Sequence, residues 1–230
     1  MLKSISTFSG KAIKFYLNLV QPNDFPKNIR MMNPYKSKDV QNIVQTFYSK
    51  YFNDNNKRIF IIGINPGRFG GGITGISFTD PVALIEKCGI SNDLGTKKEL
   101  SSEFIYKVID NFGGTEKFFS KYFLTAIYSL AFLKDGKNFN YYDDKILLKK
   151  IKPHLMESIK RQIEFGCSEE IVICLGKKNS EFLSEINQEL KYFKEIKTLN
   201  HPRYIMQYRR RFLQEFINEY LRTLNQKKIK

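Results

Sequence analysis

Two loops of this 230-residue chain hold the residue types from which chemistry can be built. The first reads Gly63-Ile64-Asn65-Pro66-Gly67-Arg68-Phe69-Gly70-Gly71-Gly72-Ile73-Thr74-Gly75-Ile76-Ser77-Phe78. Its five glycines from Gly67 to Gly75 let the backbone turn tightly and approach a ligand without a Cβ in the way. Pro66 pushes Asn65 toward extended backbone, where its amide offers a donor and an acceptor to a water. A phosphate cradle is a weaker reading, because the Lys-Ser/Thr ending of a G-x-x-x-x-G-K-[ST] loop is absent. A mobile loop without a site, or an Asn65 that only caps a turn, also competes. The second loop reads Asn200-His201-Pro202-Arg203-Tyr204-Ile205-Met206-Gln207-Tyr208-Arg209-Arg210-Arg211. A lone histidine is often structural, but an imidazole here can meet negative charge on a departing group. Tyr204, Ile205 and Met206 offer a wedge for a base stack. Arg203, Arg209, Arg210 and Arg211 suit phosphate contacts, with a solvated helix start as the alternative.

Both loops must be held by regular elements. Arg58–Ile64 is a short, Ile-rich apolar run ending in the Gly/Pro cluster, the profile of a strand buried on both faces. Tyr122–Ile127, Glu170–Leu175 and Phe193–Leu199 share that profile. Helical spacing runs through Gly10–Val20, Ser37–Phe52, Ser101–Phe112, Tyr142–Phe165 (bent or restarted at Pro153), Lys177–Leu190 and Gln207–Leu224. Alternation of strands and helices predicts an α/β chain with a parallel sheet covered on both sides. Ligands then sit beyond the carboxyl ends of the strands, after Ile64, Ile127 and Leu199.

Composition narrows the partner. Thirty-eight Lys and Arg against twenty-three Asp and Glu give a net charge of +15. That surplus draws polyanions by releasing counterions from phosphates, although a Lys-rich, AT-rich codon bias is the competing explanation. Cys88, Cys167 and Cys174 are odd in number and widely spaced, and only two histidines exist. Neither a disulfide framework nor a zinc, iron–sulfur or other metal site is expected. Lys11 and Lys14 interrupt the apolar N-terminal stretch, and no run of about 18 apolar residues occurs. The expectation is one soluble, cytoplasmic domain over residues 1–230, nucleoid-associated when on DNA, with a basic tail from about Gln226.

Gly63-Ile64-Asn65-Pro66-Gly67-Arg68-Phe69-Gly70, with Thr74-Gly75 and Phe78, resembles the first motif of the SMUG-type uracil-DNA glycosylases. His201-Pro202 resembles the opening of their second motif, His-Pro-Ser-Pro, and Asn33-Pro34-Tyr35 resembles an upstream Asn-Pro segment. The resemblance implies a three-layer α/β/α sandwich around a four-stranded parallel sheet. It implies a monomeric, monofunctional glycosylase, without cofactor, that flips uracil from DNA and hydrolyses its bond to the sugar. Asn65 would position the water and His201 would stabilise the anion forming on uracil O2. Phe78 would stack on the base, and backbone near Ile64 and Gly67 would line the pocket. Gly67, where some relatives are bulky, would leave room for 5-substituted uracils such as 5-hydroxymethyluracil. An Asp in place of Asn65 would be a stronger base, so a modest rate is expected.

The resemblance is incomplete. Alignment on Leu130-Ala131-Phe132-Leu133 puts Ala126 where the family's edge-reading Asn stands. That side chain's bond is worth roughly 1–3 kcal/mol of discrimination. Thr125, Tyr128, Ser129 or backbone groups are its candidate substitutes. Arg203-Tyr204 replaces Ser-Pro, so the wedge loop must be built differently. Relaxed specificity for deaminated purines (xanthine, hypoxanthine) and a non-catalytic DNA-binding protein are the alternative readings. Asp80-Pro81 reads as a helix N-cap and Asp143-Asp144 as helix-start acids. His154 reads as structural, and Lys134-Asp135-Gly136-Lys137 as a turn whose lysines can touch phosphate.

Overall fold

The computed structural model describes residues 6–22, 26 and 28–225, so the tail from Gln226 lies outside the described residues. The chain runs through α1 (Phe8–Leu17), β1 (Ile29–Met32), α2 (Lys38–Phe52), β2 (Arg58–Gly63), α3 (Gly71–Thr74), α4 (Pro81–Glu86), α5 (Leu100–Phe112) and α6 (Thr115–Phe119). It continues through β3 (Tyr122–Ala126), β4 (Ala131–Lys134), β5 (Lys137–Phe139), α7 (Lys145–Ile163), β6 (Cys167–Leu175), α8 (Lys177–Leu190), β7 (Glu195–Leu199), α9 (Pro202–Tyr208) and α10 (Leu213–Asn225).

The four strands expected from their apolar runs form one sheet in the order β3-β2-β6-β7, paired parallel throughout. Every residue of β2 and β3 is buried, as covering on both faces requires. Moving from β2 to β3 runs one way across the sheet and from β6 to β7 the other way. Right-handed crossovers therefore place α5 and α8 on opposite faces, which makes three layers. α1 packs on α2 and α7, while α5 packs on α9 and α10. Strand order reverses between β2 and β6, so the crevice at their carboxyl ends is the natural ligand position.

Three details depart from expectation. α7 is one helix of 19 residues that carries Pro153 inside it, neither broken nor restarted there. The segment read as a last helix from Gln207 divides into α9, a turn of 3₁₀ helix at Arg210–Phe212, and α10. A second sheet, antiparallel in the order β1-β4-β5, was not legible from periodicity, because its strands are only three or four residues long. Its β4–β5 turn is the Lys134–Lys137 segment, with Asp135 at φ 50° and Gly136 at φ 70°, the left-handed pair of a tight hairpin.

Candidate active site

A cleft of about 390 Å³ opens at the carboxyl ends of the parallel strands. Ile64 and Asn65 after β2, Ala126 ending β3, Gly176–Asn179 after β6, and His201 after β7 all line it. Gly67, Phe78, Arg203 and Tyr204 complete the predicted residues that it brings together.

Asn65 enters with its amide half committed. Its Nδ2 donates to the Phe139 carbonyl of β5 at 3.2 Å and to Pro66 O at 3.5 Å. Its Oδ1 is buried and has no hydrogen-bond partner among the described residues. The amide therefore presents an acceptor alone, suited to orient a water by taking one of its hydrogens. The hairpin also supplies Asn138, whose Oδ1 accepts from the Arg68 N–H at 2.9 Å. A short strand pair that periodicity missed thus fixes the motif loop.

His201 occupies the N-cap of α9, and its Nδ1 accepts from the Arg203 N–H at 3.1 Å. A neutral imidazole so bound carries its proton on Nε2, the nitrogen left to donate. Burial, aided by the Arg203 charge, lowers its pKa to about 4. His201 is therefore a neutral donor at physiological pH, able to meet an oxyanion without giving up a full charge.

Phe78 has φ 57°, and its ring lies over Gly63, where a Cβ would come within 2.7 Å of Phe78 Cζ. Only glycine at 63 admits the ring, whose centroid is 6.4 Å from that of His201. Around the motif loop, Asn33 caps a 3₁₀ turn, and the Tyr35 hydroxyl donates to Gly75 O at 2.9 Å. Asp80 caps α4, accepting from the Ala83 N–H at 2.8 Å.

Thr125, Ser129 and Met206 are corrections. Thr125 is fully buried on the opposite side of β3, hydrogen-bonded to the Tyr16 hydroxyl at 3.2 Å and to Gln162. Side chains alternate along a strand, so if Ala126 faces the cleft its neighbour Thr125 cannot. Ser129 is 1% exposed and does not line the cleft. Met206 is 3% exposed and Ile205 fully buried, because the helical turn of α9 directs both into the core. The exposed aromatics of α9 are Tyr204 and Tyr208, with ring centroids 5.9 Å apart, and Arg209 Nε donates to the Tyr204 hydroxyl at 3.0 Å. Arg210 lies outside the cleft and pairs with Glu103 at 3.4 Å.

The sequence reading missed Glu99, Gln207, Tyr208, Lys177 and Lys178, all of which line the cleft. The carboxyl of Glu99 occupies the space above Gly67 and Gly70. A Cβ at either glycine would fall 1.8 Å from one of its oxygens. The room that Gly67 was expected to leave for a 5-substituent is taken by this side chain. Among the described residues, no cluster of three His, Cys, Asp or Glu stands close enough to hold a metal ion.

The profile of the Uracil DNA glycosylase superfamily matches residues 49–225. The chain belongs to that superfamily. The crystal structure of wild-type Pedobacter heparinus SMUG2 is similar to it, with a TM-score of 0.90 and 41% identity over 95% of this chain and 97% of that one. No curated protein matches the sequence. The chain is thus a SMUG-type uracil-DNA glycosylase of base excision repair, and the first-motif resemblance is borne out. Among the described residues no helix is long and apolar enough to cross a membrane.

Proposed function

We propose that the protein is a monomeric, monofunctional glycosylase of cytoplasmic DNA that hydrolyses the N-glycosidic bond of flipped uracil and leaves an abasic site. The observation that carries this reading is the pairing of an unpartnered acceptor, Asn65 Oδ1, with a neutral imidazole donor in one cleft. The base stacks on Phe78. As its bond to the sugar lengthens, negative charge collects on the base and His201 Nε2–H donates to it. Positive charge collects on the sugar, next to the DNA phosphates. Water held by Asn65 Oδ1 then adds to the sugar carbon and loses its proton to solvent. Lys177 and Lys178 of the cleft hold phosphate and do not attack the sugar, so no Schiff base forms and the backbone stays intact. Arg203, with Lys177 and Lys178 at the start of α8, borders the cleft and supplies phosphate contacts.

Ala126 favours a second reading of the substrate. No edge-reading side chain stands at that position, and its carbonyl already accepts from Gln162 Nε2 at 3.0 Å. A base larger than uracil, such as xanthine or hypoxanthine, then competes for the cleft. The test is excision from single- and double-stranded oligonucleotides containing uracil, xanthine, hypoxanthine or 5-hydroxymethyluracil. Wild type should give breaks only after alkali. Asn65→Ala and His201→Asn should each lower the rate at least about a hundredfold, the scale of losing one preorganised group. Breaks without alkali would refute the monofunctional assignment, and binding without turnover would leave a DNA-binding homologue.

A further inference from the structure

We propose that Glu99 is a base-binding residue of this cleft, hydrogen-bonding the edge of the flipped base where Ala126 offers no side chain. The inference rests on the glycosylase reading above and names a group with which that site holds its base.

Glu99 stands at the N-cap of α5 but makes no cap bond with its side chain. Its backbone is pinned instead, since its N–H donates to Asp80 Oδ2 at 2.8 Å and its carbonyl accepts from the Glu103 N–H at 2.9 Å. That anchoring turns the carboxyl over Gly67 and Gly70, one oxygen above each glycine, and into the cleft. Among the described residues no hydrogen bond or ion pair occupies those oxygens. A half-buried carboxyl group that lines a pocket and has no protein partner is open to a ligand that completes it.

Its protonation state gives the reading its sense. Burial first, and then the charge of Asp80, raise the Glu99 pKa to about 7 against a smaller lowering by Arg203. The other charged and titratable groups are His201, Lys177, Lys178, Tyr142, Tyr204 and Tyr208, which line the same cleft, with Lys97 and Lys98 just upstream and Glu103 one turn along α5. A neutral carboxyl donates through its O–H and accepts through its C=O. This is the complement of a base edge that carries a carbonyl beside an N–H, as in uracil, xanthine and hypoxanthine. Cytosine and adenine present an amine beside a bare ring nitrogen, which the same carboxyl also complements when its proton sits on the other oxygen, so Glu99 supplies binding to the edge and not the choice between these bases. Neutral Glu99 makes both bonds to a flipped uracil, whereas its ionised form, which only accepts, faces the base's carbonyl unfavourably.

The experiment compares wild type, Glu99→Gln and Glu99→Ala in single-turnover excision of uracil from single-stranded DNA between pH 6 and 9. His201, titrating at about 4, is silent in that window. Wild-type efficiency should fall as pH rises past about 7. Glu99→Gln keeps one donor and one acceptor, so its profile should lack that fall. Glu99→Ala should lose about tenfold to a hundredfold at pH 6, the scale of one edge contact. Wild-type efficiency in Glu99→Ala, or an unchanged alkaline fall in Glu99→Gln, would overturn the proposal. Should Glu99→Ala not fold, the glutamine profile alone decides. Absence of any excision by wild type would instead defeat the glycosylase reading. Glu99 would then be judged by the same pH and variant series in binding to a strand containing uncleavable 2′-fluoro-2′-deoxyuridine.

Discussion

His201 and Glu99 line one cleft and are both favoured neutral by burial, but they bind pH to stability with opposite signs. Folded His201 has a pKa of about 4 against 6.5 for the free side chain. The unfolded chain takes up a proton in that interval that the folded chain refuses. His201's contribution is therefore full above about 6.5 and is lost as pH falls toward 4. Folded Glu99 has a pKa of about 7 against 4.5. Its contribution is full below 4.5 and is lost as pH rises through 7. Each difference corresponds to roughly 1–3 kcal/mol once partial solvent access is allowed for. Urea melts across pH 4 to 8 check the signs. Glu99→Gln should exceed wild type in stability at pH 8 and match it near pH 4.5. His201→Asn, which retains an N-cap acceptor for the Arg203 N–H, should flatten the acid side. Parallel curves for all three proteins would sink both assignments.

At the scale of elements, α9 shows why a helix must be placed before its residues are given roles. The string Tyr204-Ile205-Met206 reads in sequence as one wedge. In the helix, Tyr204 and Tyr208 share the exposed face while Ile205 and Met206 enter the core. Replacing Tyr204 and Tyr208 together by alanine should slow excision from duplex by about tenfold to a hundredfold, the scale of base–aromatic stacking. Uracil in single strands, with no stack to break, should be spared. Met206→Ala should instead cost roughly 2–5 kcal/mol of stability, read by melting, with little change in duplex preference. Equal slowing on both substrates by the double variant would argue against a wedge. The long buried strands, most helices and the Asn65 and His201 loops were legible because apolar runs and Gly/Pro punctuation are local signals. The β4–β5 hairpin that holds Asn65 Nδ2 was not, since three-residue strands leave no periodicity. Glu99 lies in a polar stretch far along the chain from Gly67. Its only trace in sequence is the pair of bare glycines at 67 and 70, which show that something approaches without saying what.

The whole molecule adds the field in which these parts work. The point of strand reversal sets the cleft between β2 and β6, and Arg203 of α9 lines it. The net charge of +15 draws the molecule as a whole toward phosphate. Two kinds of energy must then separate. Phosphate contacts release counterions and act alike on damaged and undamaged DNA, whereas base contacts act on the lesion alone. Arg209 is exposed and bonded only to Tyr204 among side chains of the described residues, so it belongs with the first kind. Arg209→Ala should weaken binding to undamaged and to uracil-containing duplex by the same factor. It should also reduce the slope of log affinity against log salt by about one. Phe78→Ala, by contrast, should weaken only the damaged duplex and leave the slope unchanged. Titrations of both duplexes from low to physiological salt decide the matter. A selective loss on damaged DNA from Arg209→Ala would move that arginine from holding the backbone to recognising the base.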